Sequence, residues 1–407
     1  MASVKNAPRP SYYKGRATLD RRLASMFSPR SVNAPATVSR LCLVGSYAAA
    51  EAGVSTFITD MRNALLADRA ETVVDVVRTG AHGERDARSE TVRSVGSSDE
   101  DSRSAATLMN EYDVVVIHYA ADAYADDEGG QVLDILERVT VPVVCVMHDV
   151  HLEPTARQRF IIEMLTSSAD AVVALTETSR RALLDDYHVE PRKLVVIRYG
   201  RLPAPTAHPA AAAGRTPTVL TWGRLYAGMG LELGIDAMAR LDAGPLAPRY
   251  VLAGPIDDAY AQDLTRRAEA LGIADRVELL PGYMRPGRLA EMVSGADMVL
   301  LPYTENDRTS SAILAEAVGA HKPVVSTPFP HACELLEDGR SGTLTPYADV
   351  QAMADAVGDL LADADRAHGD VVSDGLPEAG AQSWADAASQ YRQLINVVFR
   401  SSSTASR

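Results

Sequence analysis

The chain predicts an α/β protein of two Rossmann-like, doubly wound domains facing each other across a cleft, and three observations carry that prediction. Its 407 residues exceed one ordinary core and suit two domains of roughly 150 to 200 residues each. Short continuous runs of Val, Ile and Leu alternate with helical spacing, the pattern of parallel sheets covered on both faces. One break divides them: residues 201–217 (RLPAPTAHPAAAAGRTP) hold Pro, Ala and Gly without apolar periodicity and read as an interdomain linker.

Residues 1–37 are rich in Pro, Ser and Arg and read as a basic, flexible extension, in which Asp20 is the one acid. A solvated arm is expected there, with membrane contact the less favoured alternative. Residues 38–200 form the first domain. A buried strand at 41–45 (LCLVG) leads through the loop SYAAAEAG to Gly53, and 54–66 has helical spacing through Val54, Phe57, Ile58, Met61 and Leu65. Strand, small-residue loop and helix is how doubly wound domains bring backbone close to a ligand's phosphates, although no G-x-G-x-x-G is present. Further strand runs lie at 73–77, 114–118 (VVVIH), 142–148 (PVVCVMH), 171–175 and 194–197, with helical patterns at 132–139, 155–167 and 179–187. Residues 79–108 are too polar for a core and read as surface loop with an irregular edge strand at 91–95.

The second domain spans 218–380. Strands are expected at 218–222, 250–253 and 277–280, helices at 231–241, 259–271 and 286–294, and a later helix at 349–362. A last helix is expected over 381–398, where Trp384 and Tyr391 offer anchors, and serine-rich 399–407 as a disordered tail.

Residues 301–342 (LPYTENDRTSSAILAEAVGAHKPVVSTPFPHACELLEDGRSG) are the most informative stretch. The run DMVLL ends in Pro302-Tyr303 and a polar loop, after which Thr309-Ser310-Ser311 offers hydroxyl caps to a helix reading AILAEAVGA. The free N–H groups of that helix start, around Thr309 to Ala312 and Ile313, suit an anion such as phosphate. Glu316 lies one to two turns further on, where a carboxylate can accept from both hydroxyls of a ribose. A buried strand, PVVS, then leads to a loop at 327–334 (TPFPHACE) that returns to the same rim.

The order PY, loop, TSS, small-residue helix with Glu, PVVST-P, HAxELLEDGxSG resembles the C-terminal half of GT-B glycosyltransferases of the retaining family 4 type, in a bacterial branch with a TSG-like turn. The resemblance covers about residues 38 to 398 and implies a terminal helix that crosses back to the first domain. It also implies a donor site in the second domain at Gly223, Arg224, Arg308, Thr309, Ser310, Ser311, Ala312, Ile313 and Glu316, completed by Gly53 of the first. In the family an Arg and a Lys of the 223–230 loop (GRLYAGMG) hold the donor pyrophosphate. Arg224 matches the first, but Met229 stands at the second, and Arg308 stands where the first glutamate of a paired-glutamate motif is expected. Loss of a cation at a leaving group weakens its stabilisation by up to a few kcal/mol unless another group compensates, and Arg308 is the nearest candidate. Glu305 and Asp307 are close enough to serve as the missing acid if the loop shifts.

His118 and His148 end apolar strands of the first domain, where the family's histidines approach the donor sugar, so Arg224, His118 and His148 form the catalytic set. Tyr119, Asp149 and His151 complete the acceptor side, with His331 and Glu334 approaching from the other domain. A strand-end histidine is as often only a hydrogen-bonded rim residue.

Composition narrows the alternatives. A net charge of -14 argues against a general nucleic-acid or anionic-membrane surface. Cys42, Cys145 and Cys333 are dispersed, without zinc or disulfide spacing, and no D-x-D motif ends a strand, so neither metal nor other cofactor is expected. No apolar run is long enough to span a bilayer and no signal-peptide core is present, which points to the cytoplasm. The expected partners are a nucleotide-sugar donor and a sugar or small-molecule acceptor. Two other readings stay open: a catalytically reduced sugar-nucleotide or sugar-phosphate binding protein, and a GT-B sugar phosphorylase or epimerase.

Overall fold

The computed structural model describes residues 37–47, 53–67, 72–79, 92–125, 127–201, 215–241, 247–337, 339, 341–366 and 382–405. The basic extension, most of the linker and most of the small-residue loop before Gly53 lie outside them.

The first domain is a seven-stranded parallel sheet. In chain order its strands are β1 (Arg40–Ser46), β2 (Val73–Thr79), β3 (Val92–Ser94), β4 (Val114–Tyr119), β5 (Val143–Met147), β6 (Ala171–Ala174) and β7 (Leu194–Val196), arranged β3-β2-β1-β4-β5-β6-β7. Helices α1 (Val54–Ala67), α2 (Asp99–Met109), α3 (Gln131–Leu136), α4 (Ala156–Ser168) and α5 (Glu177–Asp185) connect them. The strands are buried on both faces, which is why they read as unbroken Val and Ile rather than as alternation.

Beyond the short strand β8 (Gly200–Arg201) comes the second sheet: β9 (Thr218–Trp222), β10 (Arg249–Gly254), β11 (Val277–Pro281), β12 (Met298–Leu301), β13 (Val324–Ser326) and β14 (Gly342–Leu344), in the order β11-β10-β9-β12-β13-β14. Its helices are α6 (Leu231–Arg240), α7 (Asp258–Ala270), α8 (Pro286–Gly295), α9 (Ala312–Gly319), α10 (Pro330–Leu336) and α11 (Val350–Arg366). In both sheets the order reverses beside the first strand, between β1 and β4 and between β9 and β12. Open α/β sheets bind ligands outside the strand ends at such points.

Three differences from the sequence reading have local causes. The stretch 79–108 is not all loop: α2 starts where Ser98 accepts the Asp101 N–H and Asp101 accepts the Ser98 N–H, a reciprocal capping box. The 327–334 loop ends early because Pro330 occupies the first turn of α10, where a missing N–H costs nothing. The final helix, α12 (Trp384–Ala405), runs through the serines that were expected to be disordered.

Helix α12 belongs to the first domain. Its Ala388, Tyr391, Leu394, Ile395 and Val398 are buried with Phe57, Ile58, Met61 and Leu65 of α1 and with Ala315 of α9. Each buried Leu, Ile, Met, Phe or Val among them contributes roughly 1.5–3 kcal/mol. Just before it, β15 (Gln382–Ser383) pairs in parallel with β8, and Trp384 lies so close over Gly200 that a Cβ there would sit 2.1 Å from its ring. The start of the linker and the start of α12 are thus stapled together beside the cleft.

Candidate active site

The loop before α9 makes the join between the domains. The Thr309 hydroxyl donates to the Val150 carbonyl at 2.8 Å and the Ser310 hydroxyl to the His148 carbonyl at 2.8 Å. In return, Thr176 Oγ1 donates to the Thr309 carbonyl at 2.9 Å. Ser311 caps the helix, accepting the Leu314 N–H, and its own N–H donates to His331 Nδ1 at 2.9 Å. Burial pushes His331 down to about 4, so its ring is neutral and Nδ1 is a true acceptor. Ala312 and Ile313 have no carbonyl one turn back within the helix, so their N–H groups face out of its start, where the sequence reading expected an anion.

Glu316 sits one turn into α9, half-buried. The Trp222 indole N–H donates to it at 3.2 Å. Burial raises its pKa to about 8, against the Trp222 bond and with help from the nearby Asp60 carboxylate of α1. Asp60 itself is pushed up to about 6 by burial. Trp222 and Asp60 were not picked out in the sequence; the signal for Trp222 was its place at the end of a buried strand. Gly223, next in the chain, has φ +107°, and a Cβ there would meet the Ile313 side chain at 2.8 Å, so this close approach of β9 to α9 needs glycine.

A cavity of about 90 Å³ opens between the domains, lined by His148, Asp149, Val150, His151, Glu305, Asp307, Arg308, Thr309 and Ser310. Its charges are mostly paired. His151 Nδ1 meets Asp307 Oδ2 at 3.4 Å across the cleft, which raises the histidine's pKa and lowers the aspartate's. Arg308 is held by Glu305 at 2.8 Å and by the Tyr226 hydroxyl, over the Tyr303 ring at 4.8 Å. Asp149 accepts the Ala121 N–H at 2.9 Å, and burial raises its pKa. His151 Nε2 and Arg308 Nε are buried without a partner.

The remaining candidates are distributed unevenly. Arg224 is exposed at the cleft edge, 3.2 Å from Asp122 of the first domain. Met229 is 1% exposed and packs into the second domain's core, so nothing at that position reaches the cleft. His118 and His148 are buried together, Nδ1 to Nε2, at 3.1 Å. Tyr119, one residue on from His118, faces the opposite side of the sheet, its ring in the core and its hydroxyl on the Glu128 carbonyl. Gly53, with φ +81°, opens α1 and accepts the Phe57 N–H. Glu334 caps α5 of the other domain, taking the Glu177 N–H at 3.1 Å and the Thr178 N–H and hydroxyl at 2.8 and 2.7 Å. That engagement leaves it little capacity for a sugar hydroxyl. Among the described residues no three His, Cys, Asp or Glu side chains gather as a metal-binding group, and no helix is long and apolar enough to cross a membrane.

Comparison with known proteins agrees with this frame. Residues 216–363 match the family model described as glycosyl transferases group 1. The chain is 32% identical over 147 residues to an alpha-D-kanosaminyltransferase of Streptomyces kanamyceticus, covering 36% of this chain and 37% of that protein. It is 29% identical over 301 residues to a D-inositol 3-phosphate glycosyltransferase of Geodermatophilus obscurus, covering 67% and 64%. Over the first three curated relatives the match spans between 37% and 49% of their length. Among solved structures, Anabaena HepE in complex with UDP-glucose superposes with a TM-score of 0.64 at 18% identity, covering 90% of this chain and 99% of that one. Sucrose-phosphate synthase of Thermosynechococcus elongatus gives 0.63 at 16%, covering 91% and 98%. The chain therefore has the two-domain GT-B fold, and its residues 216–363 are similar to the glycosyl transferases group 1 family.

Proposed function

We propose that the protein is a glycosyltransferase that moves a sugar from a nucleotide diphosphate to an acceptor hydroxyl, with retention and without a metal. The observation that carries this reading is Glu316, a half-buried carboxylate one turn inside the helix that follows the cavity-lining residues Thr309 and Ser310. Ribose hydroxyls donate to Glu316, and the diphosphate lies toward the Ala312 and Ile313 N–H groups, where the helix dipole favours negative charge. Arg224 exchanges Asp122 for the phosphates, and with the helix end takes the leaving-group charge that a metal would otherwise take. The sugar then occupies the cavity beside His148, His151 and Arg308. Thr309 and Ser310 hold the first domain over it, excluding water and limiting donor hydrolysis. The named activities of the relatives support glycosyl transfer, and the UDP-glucose bound by HepE supports a nucleotide-sugar donor. Retention rests on the family 4 resemblance of residues 301–342.

Met229 favours a second reading, a sugar-nucleotide binding protein of reduced catalytic power, because the cation expected at its position is replaced by a core residue. A thermal-shift and donor-hydrolysis screen with UDP, GDP, ADP and their sugar conjugates separates the two. A nucleotide at a hundred times its Kd adds about 2.7 kcal/mol to stability. Stabilisation by one diphosphate, lost in Arg224→Ala and Glu316→Ala, together with turnover of one conjugate, is the expected result. Stabilisation without turnover selects the binding protein, and stabilisation by phosphate or a sugar phosphate alone sinks the transferase reading.

A further inference from the structure

His118 is fully buried at the end of β4, and its Nδ1 lies 3.1 Å from His148 Nε2. Its other ring nitrogen, Nε2, is buried without a hydrogen-bond partner. The Phe57 ring meets both imidazoles edge-on, with centroids 5.5 and 4.8 Å away. Burial depresses both pKa values, that of His148 to about 3, so each ring is neutral and carries one proton.

Two arrangements satisfy the contact. If His148 Nε2–H donates, His118 must carry its own proton on Nε2, an N–H buried with no acceptor. If His118 Nδ1–H donates, the orphan is only a lone pair. Buried N–H groups without acceptors are rarer in folded proteins than under-used acceptors, and an unpaired buried donor bears its full desolvation cost. The second arrangement follows. His148 Nε2 is then an acceptor, and the ring's single proton must be on Nδ1, because the tautomer of a histidine is set by the bond its other nitrogen makes.

We infer that His118 is a positioning residue that fixes His148 as the Nδ1–H tautomer, so that His148 meets the ligand in the interdomain cavity as a hydrogen-bond donor and not as a base. The lone pair of His148 is spent on His118. A histidine so held can stabilise negative charge on a donor oxygen, but it cannot take the proton of an acceptor hydroxyl. On the retaining reading proposed above, that proton goes to an oxygen of the departing diphosphate: the acceptor O–H bond and the bond from the sugar to the diphosphate break as the new glycosidic bond forms, and the leaving group carries the proton away. The kinetic part of this inference rests on the transferase reading, whereas the tautomer does not.

Long-range proton–nitrogen correlation spectra of the full chain labelled in histidine, assigned with His118→Asn and His148→Asn, read both rings without any substrate. Nδ1 protonation of His148 with Nε2 unprotonated is expected; an Nε2–H tautomer there overturns the inference. Turnover provides the second readout. The amide of His118→Asn can still donate to His148 Nε2, whereas His118→Leu cannot. His118→Leu should lose about tenfold in kcat with little change in donor KM, and His118→Asn should recover most of that loss. Equal losses in the two variants reduce His118 to a packing residue. If no donor turns over at all, the transferase reading fails while the spectra still decide the tautomer.

Discussion

Trp222 donates its indole N–H to Glu316 at 3.2 Å, and the bond joins the end of the central strand of the second sheet to the inside of the helix that opens on the cleft. One N–H does not offset the burial, which lifts the carboxyl's pKa to about 8. The folded pKa lies above the ordinary value of 4.5, so the folded protein holds a proton that the unfolded chain releases between pH 4.5 and 8. Stability should therefore fall as pH rises through that window. Glu316→Gln should flatten the fall in a pH series of thermal melts. Nucleotide binding should run the opposite way, strengthening toward pH 8 as the carboxylate ionises and accepts both ribose hydroxyls. A nucleotide affinity that is independent of pH in the wild type would rule out Glu316 as the ribose ligand.

Arg224 and Asp122 form an ion pair whose side chains are both about 70% exposed. Exposed pairs contribute little, about 0–1 kcal/mol, so Arg224→Ala should melt within a degree or two of the wild type. Its cost should fall on the phosphates: at least tenfold weaker binding of a nucleoside diphosphate, with the bare nucleoside unaffected. Titration calorimetry with the two ligands separates these effects.

The Thr309 and Ser310 hydroxyls hold carbonyls of the opposite domain, at about 1 kcal/mol for each hydrogen bond. The double variant Thr309→Val, Ser310→Ala should populate an open form. The expected sign is a larger radius of gyration in small-angle scattering and a higher ratio of donor hydrolysis to transfer. An unchanged radius would mean that the remaining cross-domain contacts, those of Thr176 with Thr309 and of Glu334 with α5 among them, hold the arrangement without these two hydroxyls.

His151 and Asp307 add a pH-sensitive contact to the same closure. Because Asp307 raises the His151 pKa above its ordinary 6.5, the stabilisation is fully present below pH 6.5 and is lost as pH rises through the folded value. Asp149 and Glu128 act in the same direction, while burial opposes them. Asp307→Asn should lower the His151 titration midpoint measured by NMR. Both side chains are partly exposed, so the effect on global stability should stay below about 1 kcal/mol.

Much of this was legible in the chain. Unbroken runs such as VVVIH and PVVCVMH announced strands buried on both faces, and the linker separated two series of them. The TSS turn and Glu316 were readable because capping hydroxyls and an acid in an otherwise apolar helix are local signals. Helix α2 was missed although its capping residues, Ser98 and Asp101, were in plain view, because the polar stretch around them outweighed a three-residue signature. What the sequence could not show was direction. His118 and Tyr119 are neighbours in one strand, yet one reaches His148 and the other the opposite core. Glu334 read as a sugar ligand until the fold placed it on the start of α5, 157 positions from Glu177. Pairings across two domains depend on closure, and no local spacing encodes them.

The way α12 covers the first sheet has a consequence for how the molecule is made. Arg392 bonds the Leu65 carbonyl and Asn396 the Val38 N–H, across 327 and 358 positions of chain. A ribosome delivers α1 and its sheet long before Tyr391 and Ile395 arrive to cover them. Throughout that interval the first domain lacks the part of its core that α12 supplies, Ala388, Tyr391, Leu394, Ile395 and Val398, and that core is completed only after the second domain has emerged. The cleft is therefore assembled last, by the same docking event that completes the half translated first.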